Sequence, residues 1–377
     1  MNLVESGAYS YRDDLVTSKL ITPGYPLIVT FFASLFDEFS SAYFAVIGFQ
    51  ILISTLVVLL TYLLSLRLMH KNAACVTAVA VAISPHLIIS SSYFLTETSH
   101  SFFVLLGLWL LVVAIEKKLL RVALLAGVVF GYAALIRPAV LLFPIAALIV
   151  FWWKYRTEVR PNLLLAFLFT TSLMWLPWQI WEAESKESNS RAVFLLGAYP
   201  DMTYESPRMR GYAYREDPEF QAMRESWSKT CEVLGERISE DPLAYIGWYL
   251  IGKPVTLWSA SMVQGQGGPF IYPITSSAYD NPGLYSLTLF LMMNLHGLLF
   301  FAAVLVIGYE VLRMVFTNHK PDLVLALVIL FALYHTGVHT VLAPLPRYST
   351  PYYPFLFMLA IYGCAGAFEK IRRVAHE

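Results

Sequence analysis

Ionisable side chains at the ends of long apolar runs are the residues in this sequence that could do chemistry. Glu97 stands in YFLTETSHSF where an apolar run begins, with His100 three positions on. Arg137 stands in ALIRPAVLLF between two apolar runs with almost no loop. Arg347, followed by Tyr348, stands in LPRYSTPYYP among proline-rich turns, and Lys253 is alone in WYLIGKPVTLW. A charge next to hydrocarbon is costly and is kept where it has a task. A guanidinium offers a planar fork of donors to phosphate, and an ammonium offers a compact point charge. Arg137, Lys253 and Arg347 therefore suit a lipid phosphate or pyrophosphate, although a snorkelling interfacial arginine is the plainer reading of Arg137. Glu97 also has two readings. With Thr96 as a cap, its carboxylate favours the first turn of a helix. In a cavity, the same group would place a substrate hydroxyl, hold a metal or act as a general base.

His335 and His339 are four positions apart and share a helix face, the spacing of a metal-binding pair. Without a carboxylate partner they read first as hydrogen-bonded packing histidines, with a divalent metal as the alternative, and no other cofactor follows from the residues. Asp13 and Asp14 read as a solvated turn, and Trp175, Trp178 and Trp181 as an interfacial aromatic belt. GQGGPF at 265–270 lacks the strand and helix that a phosphate loop needs. Of the three cysteines, Cys75 and Cys364 lie in apolar runs and Cys231 in a polar region, which leaves no disulfide within that region and no zinc-type cluster.

The elements that must position these residues are membrane helices. Of the 377 residues, 58% are hydrophobic and 14% charged, against about 25% charge in a soluble domain. The composition implies an all-α, polytopic transmembrane bundle. Reading apolar runs against breakers gives about nine spans, near 41–66, 73–93, 97–115, 119–136, 138–153, 161–181, 284–314, 322–343 and 349–368. Alternate connections hold Arg67 and Lys71; Lys117, Lys118 and Arg121; Lys154, Arg156 and Arg160; Arg313 and Lys320; the tail adds Lys370, Arg372 and Arg373. The opposite short connections hold Arg137 and Arg347. The positive set is expected in the cytoplasm, which puts the carboxyl terminus inside and Glu97, Arg137, Lys253 and Arg347 on the extracytoplasmic side. Lys plus Arg equals Asp plus Glu at 26 each, which gives no basis for a nucleic-acid partner; the partner that composition implies is the bilayer.

Four regions follow. Residues 1–40 read as part of a first extracytoplasmic loop, in which TPGYPLIVTFF forms a juxtamembrane helix. Residues 41–181 form an amino-terminal bundle, and 284–377 form the last helices and a cytoplasmic tail. Between them, 182–283 form an extracytoplasmic region with an amphipathic helix near 216–240. The return, LAYIGWYLIGKPVTLWSASM, reads as an interfacial helix broken at Pro254, with a true span as the alternative. A chain that starts outside without a signal peptide leads to the expectation of one more export helix upstream.

Seven stretches resemble, in order, GT-C type membrane glycosyltransferases, and within them the bacterial branch related to dolichyl-phosphate-mannose–protein mannosyltransferases and the lipid A aminoarabinose transferase. They are NLVESGAYS at 2–10, TPGYPLIVTFFASLF at 22–36, SSYFLTETSHSFFVLLGLWLL at 91–111, GVVFGYAALIRPAVLLFPIA at 127–146, LPWQIWEA at 176–183, ERISEDPLAYIGWYLIGKPVTLW at 236–258 and PRYSTPYYPFLFMLAIYG at 346–363. The resemblance implies transfer of a sugar from a polyprenyl-phosphate donor to a lipid, glycan or protein acceptor at the extracytoplasmic face of a bacterial inner membrane. It implies Arg137, Lys253, Arg347 and Tyr348 on the phosphate side and Glu97 as the acidic residue, the one catalytic position that can be carried over. The family's usual catalytic Asp lies upstream of the stretch matching NLVESGAYS, so neither Asp13 nor Asp14 is its equivalent. Two other readings stand beside the enzyme: a flippase for a lipid-linked saccharide, which would need polar groups at mid-membrane depth and an internal repeat, and a non-catalytic polyprenyl-lipid-binding relative.

Overall fold

The computed structural model describes residues 21–182, 189–206, 209–263, 267–317 and 319–374. The NLVESGAYS stretch, Asp13, Asp14 and Gly265 lie outside them. Eight helices make the first half: α1 (Gly24–Ala33), α2 (Phe39–Ser65), α3 (Lys71–Ala82), α4 (Pro85–Ser92), α5 (Glu97–Lys117), α6 (Leu120–Ile136), α7 (Phe143–Tyr155) and α8 (Pro161–Glu182). A loop module follows, with α9 (Asn189–Ala198), a hairpin of β1 (Thr203–Ser206) and β2 (Met209–Tyr212), and α10 (Trp227–Glu240). Two short helices, α11 (Pro242–Gly247) and α12 (Lys253–Leu257), lead back to α13 (Leu284–Phe316), α14 (Leu323–Val341) and α15 (Tyr353–Val374).

Each of the nine expected spans has a helix, but not all are straight crossings. Among the described residues seven helices are long and apolar enough to cross a membrane, so by length and hydropathy the chain is a multi-pass integral membrane protein. The second expected span is instead two helices, α3 and α4, bent by 47°. The break falls at Ser84–Pro85, where the proline ring has no N–H to continue the ladder and fits only a first turn. The fourth, α6, has 17 residues, short of the roughly 20 that a hydrocarbon core asks for.

That short helix is the hub. It packs closely on α5 and on α8, because GVVFG places Gly127 and Gly131 one turn apart on the face toward α8. A Cβ on Gly127 would lie 2.0 Å from Thr170 Oγ1 and 2.4 Å from the Phe167 carbonyl. Around this centre, Phe130, Phe143, Phe167, Phe331 and Phe355 form a fully buried core. The tryptophan run expected as an interfacial belt turns inward here. Trp175 and Trp178 are buried in that same core, and Trp175 Nε1 donates to Gln179 Oε1.

Two other expectations are refined. The amphipathic helix near 216–240 is divided at Ser226, whose hydroxyl caps α10 by accepting from Lys229 N–H, after a short helix at Phe220–Glu225. The return from the loop module is helical from Pro242, with Asp241 as its N-cap. It widens into a single π turn at Trp248–Gly252 just before Pro254. Leu243, Ile246, Leu250, Ile251 and Val255 are exposed along it, an apolar face as an interfacial helix requires.

Candidate functional site

At the end of the bundle that carries the loop module, the start of α1 closes against the end of α6. Gly24 sits so near the α6 backbone that a Cβ would be 2.6 Å from Ile136 N. Tyr132 donates to the Gly24 carbonyl at 2.8 Å and Thr22 to the Ile136 carbonyl at 3.1 Å. Tyr25 donates to Gln50, whose amide donates in turn to the Ser91 and Tyr93 carbonyls. The juxtamembrane helix read from TPGYPLIVTFF is thus a brace. It holds the turn at Arg137, where Pro138 forces extended backbone and stops α6.

Arg137 leaves that turn toward the start of α5. Its Nη2 donates to Glu97 Oε1 at 2.5 Å and its Nε to Thr96 Oγ1 at 2.7 Å. Arg347, on the short helix Pro346–Ser349, reaches the same oxygen through Nε and Nη2, both at 3.1 Å. Three sequence-selected residues, 40 and 250 positions apart, therefore converge on one carboxylate oxygen. Glu97 is 1% exposed, while the side chains of Arg137 and Arg347 keep 14% and 22%. Among the described residues no second carboxylate pairs with either arginine, so the cluster carries one positive charge in excess. Tyr348 lies beside it, with the Arg137 guanidinium 5.5 Å from its ring centroid and His339 packed 5.2 Å from it on another helix.

Lys253 does not join this group. It is fully buried, and its ammonium donates to the carbonyls of Thr340, Leu342 and Val341 at 2.7, 3.2 and 3.5 Å, over the ring of Tyr249. Those are the terminal carbonyls of α14, which have no partner within their own helix. Burial draws the Lys253 pKa down to about 7. Its phosphate-side role gives way to that of a cap supplied by a neighbouring helix, because all three of its N–H directions are already taken.

His335 and His339 pack ring against ring with centroids 4.6 Å apart, and His335 also packs on Tyr352 at 4.1 Å. His339 Nδ1 is bonded to the Ala343 carbonyl. Among the described residues no group of three or more His, Cys, Asp or Glu side chains is gathered to hold a metal, and the pair is a packing pair. His100 sits behind Glu97 with Nδ1 on the Ala133 carbonyl at 3.0 Å and Nε2 on the Tyr352 hydroxyl at 2.5 Å. An Nδ1–H donated to that carbonyl leaves Nε2 to accept from the tyrosine.

One arrangement escaped sequence reasoning. His296, Tyr353 and His86 each donate to one of three consecutive carbonyls: Trp258 at 2.7 Å, Ser259 at 3.1 Å and Ala260 at 2.6 Å. These donors come from α13, α15 and α4. They pin the strand of chain that runs from α12 to Met262 and Ile271, which pack beside Leu95 near Arg347. Its signal was a histidine inside each of two apolar runs, ISPHLIIS and MMNLHGLLF.

Residues 21–181, which carry α1 to α8 with Glu97 and Arg137, match the model of the dolichyl-phosphate-mannose-protein mannosyltransferase family. The family resemblance is borne out over this stretch. It marks the chain as related to membrane glycosyltransferases; Lys253 and Arg347 lie beyond the matched residues. No curated protein sequence matches the chain. Among solved structures, the Archaeoglobus fulgidus oligosaccharyltransferase tethered with an acceptor peptide has 17% identity and a TM-score of 0.51, over 95% of this chain and 42% of that one. Its apo form has 17% identity and a TM-score of 0.50, over 96% and 44%. That likeness is one of fold, and the chain spans less than half the length of those structures.

Proposed function

We propose that this protein is a membrane glycosyltransferase that takes its sugar from a polyprenyl-phosphate donor at the extracytoplasmic face of a bacterial inner membrane. The observation that carries the reading is the charge of the Glu97–Arg137–Arg347 cluster. Two guanidinium groups share one buried carboxylate oxygen, and a phosphate would neutralise the remaining charge while taking the N–H groups that Glu97 does not use. The positive connections favour a cytoplasmic carboxyl terminus and, with it, an outer position for this cluster.

In the reaction, the acceptor hydroxyl oxygen forms a bond to the sugar's anomeric carbon as the bond from that carbon to the phosphate oxygen breaks. The bond pair stays with the phosphate, and the acceptor's proton ends, net, on the released polyprenyl phosphate. Arg137 and Arg347 stabilise the charge that grows on that oxygen. Glu97 Oε1 already accepts an N–H from each of the two guanidinium groups, so its part is to aim the arginines, and the earlier expectation that it takes the acceptor's proton is given up. Tyr348 supports the Arg137 guanidinium from its ring face.

The test is the purified protein in liposomes with an undecaprenyl- or dolichyl-phosphate sugar and a membrane extract of lipid, glycan and protein as the source of acceptor hydroxyls. Wild type consumes the donor, and Arg137→Ala and Arg347→Ala each reduce turnover about 100-fold or more, as loss of a charge-stabilising donor does. Normal turnover in both variants would overturn the assignment.

A further inference from the structure

A cavity of about 750 Å³ opens between α2, the bend of α3 and α4, and the chain at 270–285 that enters α13. Its volume is that of a small-ligand site, about 300–1,000 Å³. It opens sideways, where Ile51 and Tyr285 are each about half exposed at 53% and 50%. On its inner side it reaches Thr98 and Ser101, in the same first turns of α5 that present Glu97.

The lining decides what fits. Among the described residues no Asp, Glu, Lys, Arg or His lines it, and Val57, Val58, Leu87 and Phe270 make much of its wall. Four of its hydroxyls already donate to backbone carbonyls: Thr55 to Ile51, Ser91 to Ile88, Ser92 to Ile89 and Ser101 to Pro351. Toward the cavity these groups offer only lone pairs. A phosphate could take the Thr98 and Tyr279 hydroxyls, which have no partner among the described residues, but would meet no cation there to offset its charge. A hydrocarbon chain meets apolar walls, and an alcohol at its end finds acceptors for its proton.

We propose that this cavity takes the chain of a neutral lipid acceptor and delivers its free hydroxyl to the sugar held at Arg137 and Arg347. The inference rests on the glycosyltransferase reading above and adds to it the chemical class of the acceptor.

Photolabelling tests it in liposomes, with a diacylglycerol carrying a diazirine in one acyl chain and, separately, a polyprenyl phosphate carrying a diazirine in its chain. The diacylglycerol probe should label residues 51–58 and 87–93. Ser54→Trp and Thr55→Trp should cut that labelling about tenfold, the effect of excluding two methylenes at about 0.8 kcal/mol each. Thr55 is exposed at the rim, so its variant fills the opening without entering the core. Equilibrium binding of polyprenyl phosphate should be unchanged in both variants, which also reports that they are folded. The inference is overturned if the polyprenyl probe labels these segments as strongly as the diacylglycerol probe, or if labelling persists in both variants. If wild type binds no polyprenyl phosphate at all, the glycosyltransferase reading fails instead.

Discussion

Two clusters of buried carboxylate, arginine and tyrosine among the described residues, one at the rim of the bundle and one in the loop module, are built to opposite ends. In the loop module, Arg237 donates to both oxygens of Asp217, at 2.7 and 3.1 Å. Tyr199 and the Glu219 N–H complete the carboxylate, and the guanidinium lies between the rings of Tyr199 and Tyr204. One charge meets one charge, and each carboxylate oxygen has two donors. At the rim, Glu97 faces two arginines that crowd one of its oxygens, and the sum is positive. A balanced, saturated pair staples chain segments together. An unbalanced one, kept partly open, is suited to receive an anion.

The sharpest way to break this contrast is to remove an arginine from each cluster. Arg347→Ala should lower donor consumption in liposomes about 100-fold or more, whereas Arg237→Ala should leave turnover per folded molecule within about twofold. Equal losses would show that the rim cluster is only another staple. Stability should respond the other way. Arg237→Ala leaves Asp217 buried without its partner and should cost about 3 kcal/mol, the lower end for a broken buried pair because Arg237 keeps 21% exposure. Limited proteolysis of the loop module would read this.

A smaller effect follows from pH. Burial pushes the Asp217 carboxyl up, but Arg237, Tyr199 and the Glu219 N–H outweigh it and hold the pKa below the ordinary value of 3.8. The unfolded module then binds the extra proton, so this stabilisation is whole above about pH 4 and fades as pH falls through the folded pKa. Acid unfolding of the module should show it, and Asp217→Asn should flatten that part of the curve. Smallest of all, Tyr348→Leu should raise the donor KM about two- to fivefold through loss of the ring face under Arg137, while Tyr348→Phe should not.

Much of the rim cluster was legible because an ionisable residue beside an apolar run stands out in one dimension. Glu97, Arg137 and Arg347 were visible for that reason, as were the spans themselves. Their pairing was not, since it joins residues 40 and 250 positions apart. Lys253 stood out by the same rule and turned out to cap α14, because an isolated cation signals a need for lone pairs without saying whose. Asp217 and Arg237 were invisible in a charged stretch where any residue could pair with any other. The inward turn of Trp175 and Trp178 depends on which face of α8 meets α6, and the glycines that choose that face lie on the other helix.

The place of Arg347 near the end of the chain has a consequence for how the protein enters the membrane. As the helices emerge in order, Glu97 meets Arg137 first, and the two make a neutral couple that can sit at the rim at little cost. The surplus cation arrives only with the short helix Pro346–Ser349, just ahead of α15, whose first residue Tyr353 also ties down the Ser259 carbonyl. A nascent chain therefore passes through insertion with its carboxylate matched, and the positive excess of the cluster appears as the bundle closes.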